Sequence, residues 1–66
     1  MTQETKYIIL GRAPGQAKAK AMDLAEGYQV NRLIYATILT EAEADYALQQ
    51  LQIAEPAWTW TRRACK

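Results

Sequence analysis

Residues 40–56, TEAEADYALQQLQIAEP, carry the signals for both ends of one α-helix, and this segment constrains most strongly what the 66-residue chain can become. Thr40 and Glu43 have the spacing of a capping box, while Glu41, Glu43 and Asp45 put negative charge in the first turn, where the helix dipole favours it. Ala44, Ala47, Leu48, Leu51 and Ala54 recur at three- and four-residue steps, which gives one apolar stripe for a core. Glu55-Pro56 then stops the helix. A helix is expected over 41–54.

The flanking segments read as strands. Residues 6–12, KYIILGR, are short and rich in Ile and Tyr; residues 28–39, YQVNRLIYATIL, are dense in β-branched and aromatic side chains. Residues 57–64, AWTWTRRA, alternate Trp58 and Trp60 with Thr59 and Thr61, as a half-buried strand does. Ala13-Pro14-Gly15-Gln16 has the proline and glycine positions of a type II turn. Residues 16–26, QAKAKAMDLAE, point both ways. Their alternation suits a strand, but their residue types favour a helix closed by Gly27, and helix is the preferred reading. The fold class is therefore α+β: a three-stranded sheet with two helices in the order β-α-β-α-β, a reduced ferredoxin-like plait. The alternative is a β-β-β-α-β meander with one helix. Residues 1–66 are expected to form a single domain, with 1–5 a disordered tail and 65–66 a frayed end.

Half of the residues are apolar, yet twelve of them are alanines, so the core will be thin. Small chains of this kind usually rely on disulfides, a metal or oligomerisation. With Cys65 the only cysteine and no histidine, a disulfide and a metal site are both almost excluded. Self-association, as a homodimer, or docking on a partner remains. The strands also carry apolar residues on both faces. With both helices on one face, Tyr7, Ile9, Leu33, Tyr35 and Leu39 would form a bare patch on the other. The competing reading is a strand buried between one helix on each side. Tyr46, Gln50 and Ile53 make a second stripe on the 41–54 helix, readable as an interface or as a flank half covered by the neighbouring strand.

Few kinds of chemistry fit. The loop GRAPG, residues 11–15, lacks the Gly-Lys-Ser/Thr ending of a phosphate loop, and Pro14 removes a donor; Arg12, Lys18 and Lys20 there read as solvated cations. Histidine and serine are both missing, which removes the common general base and every Ser/His or Cys/His arrangement. Cys65 beside Arg62, Arg63 and Lys66 lacks the companions a nucleophile needs. Glu41 and Asp45 share a helix face, but compensating the dipole explains them without a metal. No catalytic residue, metal, cofactor or small-molecule substrate is expected.

Residues 1–6 are polar and no run is apolar enough for a membrane span, so a cytoplasmic protein is expected. The formal net charge of +1 is far from the basic balance of a dedicated nucleic-acid domain. Even so, Trp58, Trp60, Arg62 and Arg63, with Lys18 and Lys20, hold the materials of a single-strand stacking platform, and nucleic-acid binding is the alternative function. The leading expectation is a non-catalytic protein-binding module that docks on a larger assembly and modulates or inhibits it. In size alone, and not in any motif, the chain is similar to the small inhibitors that phages and mobile elements direct at host machinery, such as anti-CRISPR proteins.

Overall fold

The computed structural model describes residues 5–32 and 35–65. The element order is β1 (Lys6–Arg12), β2 (Lys20–Asp23), β3 (Tyr28–Val30), α1 (Glu41–Ala54) and β4 (Thr59–Cys65). The strands form an antiparallel sheet in the order β3-β2-β1-β4. The chain thus runs outward through β1, β2 and β3, then returns through α1 to place β4 on the free side of β1. The α+β class is as expected, but a four-stranded sheet with one helix replaces the three strands and two helices of the plait. The order β-β-β-α-β is that of the alternative meander.

The difference lies in residues 16–26. Pro14 and Gly15 occupy the centre of a turn closed by Gln16 N–H donating to the Ala13 carbonyl at 3.0 Å, with Gly15 at φ +87° as a type II turn requires. That turn leads the chain back beside β1, where Leu10 pairs with Ala21 and Gly11 with Lys20. A helix there would have left this side of β1 without partners for its backbone groups, so the sheet overrides local propensity. Gly27, at φ +80°, ends a tight turn rather than a helix. Asp23 organises this turn: its carboxylate accepts from Ala25 and Glu26 N–H, and its carbonyl from Gly27 N–H.

The long third strand is also shortened, to Tyr28–Val30. Residues 37–39 instead fill the gap where β1 and β2 part. Leu39 exchanges both backbone hydrogen bonds with Tyr7, at 2.7 and 2.8 Å, and Thr37 ties to β2 through Met22 and Leu24. Val30 and Thr37 of this stretch still serve the sheet, but in two separate places. Gln29 adds a clamp: its amide pairs with that of Gln16 and donates to the Gly11 carbonyl at 2.9 Å, fixing the turn after β1 against β3.

Helix α1 begins and ends where expected. Thr40 Oγ1 accepts from Glu43 N–H at 3.2 Å and Glu43 Oε1 accepts from Thr40 N–H at 2.9 Å, a complete capping box. The helix lays Ala44 on the sheet, with Ala47, Leu48 and Leu51 beside it, over Ile9, Met22 and Trp60. Ile9 is fully buried, a contribution of about 1.5–3 kcal/mol by transfer from water.

Opposite Trp60 stands Gly11, its register partner on β1. A Cβ added to Gly11 would lie 2.9 Å from Trp60 Cε3, nearer still to Cζ3, and 3.2 Å from Trp58 Cε3. The glycine is thus the floor on which the indole rests. Trp58 stacks on Trp60 with ring centres 5.0 Å apart and planes 9° from parallel. The Trp60 indole N–H donates to the Glu55 carbonyl at 3.1 Å, which ties the end of α1 to β4.

Two outcomes follow from these contacts. Gly11→Ala removes a glycine from a strand, which by itself would stabilise; with Trp60 in contact it is expected instead to cost about 1–3 kcal/mol in urea unfolding, by overpacking. An increase in stability would show that the indole does not rest there. The second concerns acid. Hydrogen bonds from the Thr40 backbone and hydroxyl, with the charge of Lys6 adding to them, hold the Glu43 carboxyl below the ordinary glutamate pKa against a small opposing desolvation. A depressed carboxyl contributes stability that is full above its unfolded value and is lost as the pH falls through its folded value. Thermal melts across the acid range should therefore depend less on pH in Glu43→Gln, which keeps an acceptor but does not titrate.

Candidate interaction surfaces

The materials of the stacking platform are drawn inward. Trp60 is buried and Trp58 half-buried, both on the helix side of the sheet. Arg62 shares that side. Its guanidinium bonds Asp45 of α1 at 2.8 Å and lies 4.6 Å above the centre of the Tyr7 ring. Asp45 is thereby engaged with an arginine, away from any shared role with Glu41. Arg63 alternates to the other side and is exposed, as are Lys18 and Lys20. The six residues are not brought to one surface. Among the described residues no group of three or more His, Cys, Asp or Glu is arranged to hold a metal ion, and no helix is long and apolar enough to cross a membrane.

The sheet has a covered and an open face, but the residues on them differ from the sequence expectation. Ile9 lies beneath α1, with Tyr7 and Leu39 half-buried around the same core. Tyr35 is exposed, and Leu33 lies outside the described residues. Tyr7, Ile9, Tyr35 and Leu39 thus form no common bare patch. The parity of β1 is set by Gly11: the face that admits an indole faces the helix, and Tyr7 and Ile9 share it by alternation. One sequence cue pointed this way, a strand glycine two residues from Ile9 in a chain whose largest side chains are two tryptophans.

The open face holds Ile8 and Leu10 of β1, Ala21 of β2 and Val30 of β3. Ala36 folds under it and buries Ile8 and Ala21, while Leu10 and Val30 stay half-buried. A hollow of about 250 Å³ is left there, lined by Leu10, Ala19, Lys20, Ala21, Val30, Asn31 and Arg63. A wider cleft of about 480 Å³ lies at the β3 end, between Tyr28 and Tyr35, with Asp23 and Arg32 at its sides.

The outer face of α1 is the other uncovered surface. Tyr46 is 65% and Ile53 75% exposed, and Gln50 between them is exposed as well. They stand on the side opposite Ala44, with Ala42 and Gln49, and Glu43 lies at the N-terminal end of the same side, three residues before Tyr46 and seven before Gln50. The stripe read as Tyr46, Gln50 and Ile53 is one continuous surface, and β4 does not cover it. Comparison of the chain with known protein families, curated proteins and solved structures finds no significant match.

Proposed function

We propose that this chain is a non-catalytic protein-binding module that docks through the outer face of α1 on a protein of a larger assembly and modulates it. The observation that carries the reading is the exposed ridge of Tyr46, Gln50 and Ile53. A helix lying on a sheet ordinarily turns its charged residues outward. Here Glu41, Glu43 and Asp45 are gathered in the first turn and its flanks, while the outward ridge presents a tyrosine and an isoleucine. Single exposed apolar residues are common, but Tyr46 and Ile53, aligned at i and i+7 on α1 with Gln50 between them, make a surface ready to be covered. Tyrosine is also among the residue types that dominate binding energy at protein interfaces.

The test is a photo-crosslinking residue placed at Gln50, with a control at Lys18, exposed to a lysate of the source cells or their host. One protein crosslinked from position 50 and not from 18, and lost in Tyr46→Glu/Ile53→Glu with the helical circular dichroism unchanged, is the expected result. Crosslinks of equal strength from both positions, or capture that survives the charged variant, would remove the ridge from the interface. A crosslinked species of twice the chain mass would make the partner a second copy.

A further inference from the structure

Strand β4 lies at one end of the sheet, and its outer edge is long and regular. All of Thr59–Cys65 pairs with β1 in unbroken register, without the proline or bulge that commonly blunts such an edge. The strand at the other end, β3, is three residues long. Which backbone groups of β4 face outward follows from Tyr7, whose N–H and C=O both bond Leu39 on the far side of β1. By alternation Ile8 and Leu10 bond β4, through their register partners Arg63 and Thr61. Trp60, Arg62 and Ala64 therefore turn their N–H and C=O groups outward, where among the described residues no further strand lies. Thr61, Arg62, Arg63 and Ala64 are all exposed.

We propose that this edge pairs with the same edge of a second copy, antiparallel about a two-fold axis at Thr61, so that two sheets join into one. Charge selects the register. An antiparallel ladder sets outward-turned residues against outward-turned residues, so the axis falls on a residue and not between two. Centred on Arg62 or on Arg63, the pairing sets that arginine against its own copy, which is repulsive. Centred on Thr61, it sets Thr61 against itself, Arg63 against Thr59 and Arg62 against Trp60, and no two cations stand opposed. On the helix side Arg62 already holds Asp45 at 2.8 Å, so the axis brings together two ion pairs and not two bare charges. The edge is thus complementary to itself, in a chain whose small core has no disulfide to support it. The α1 ridge points away from the sheet and takes no part in this pairing.

Sedimentation equilibrium of the purified protein tests this, together with single cysteines placed in a Cys65→Ser background. The expected mass is twice the 7.5 kDa of the chain. Thr61→Cys should cross-link to its own copy under mild oxidation, because opposed residues of a non-hydrogen-bonded pair lie about 4.5 Å apart at Cα, within reach of a disulfide. Thr59→Cys and Arg63→Cys should each stay uncross-linked alone and join when mixed, a pattern that only this register produces. Thr61→Arg, at an exposed position, sets a cation against its own copy and should weaken association by about tenfold or more with the circular dichroism unchanged. Tyr46→Glu/Ile53→Glu should leave the mass doubled, which separates this edge from the helix ridge. A chain that sediments as a monomer overturns the proposal and leaves the edge to a strand of another protein. It is equally overturned if Thr61→Arg associates as before, or if Thr59→Cys alone cross-links as strongly as Thr61→Cys.

Discussion

The Trp60 indole lying over the bare backbone of Gly11 is the contact on which the rest of the structure depends. It joins the outer strand β4 to β1 at a position where any larger residue on β1 would collide with the ring. The same indole reaches back to the carbonyl of Glu55, so one side chain holds both the strand register and the end of the helix. Trp58 stacks on it and widens the floor under the last turns of α1. For a chain whose buried residues include several alanines, two stacked indoles supply bulk that the aliphatic side chains do not.

From that contact the two faces follow. Gly11, Ile9 and Tyr7 alternate toward the helix, Ile8 and Leu10 away from it, where among the described residues Ala36 packs on Ile8 and Ala21. Helix α1 thus covers one side of the sheet and turns its own outer face to solvent. That face exposes Tyr46, Gln50 and Ile53, and the hollow beneath the sheet has an apolar floor with Arg63 at its rim.

How much of this the sequence disclosed depends on how local the deciding physics is. The capping box at Thr40 and Glu43, the Pro14-Gly15 turn and strand β1 are specified by neighbouring residues, and the structure places them as read. Residues 16–26 failed because Ala, Lys, Met and Leu carry the helix propensity, while the need to pair β1 is non-local and stronger. The single strand read over 28–39 is a strand only at Tyr28–Val30, and a run of β-branched residues does not reveal that it ends there and that Leu39 meets β1. The parity of β1 was the costly error for the surfaces, since one step of alternation exchanges Ile9 for Ile8 on the open face. The clamp of Gln16 and Gln29 spans thirteen residues between two amides, and nothing in their types announces it. That Tyr46, Gln50 and Ile53 share one side of the helix could be read because helical spacing is local, but whether the neighbouring strand covers them could not.

The most direct measurement of the central contact is the proton NMR spectrum of Gly11 in the folded protein. If the Trp60 ring rests on the glycine, the Gly11 Hα resonances are shifted well upfield by the ring current and show nuclear Overhauser effects to the Trp60 ring protons, and the shift disappears in Trp60→Leu. Gly11 Hα resonances at their random-coil positions, with no Overhauser effect to the Trp60 ring in a folded chain, would contradict the account.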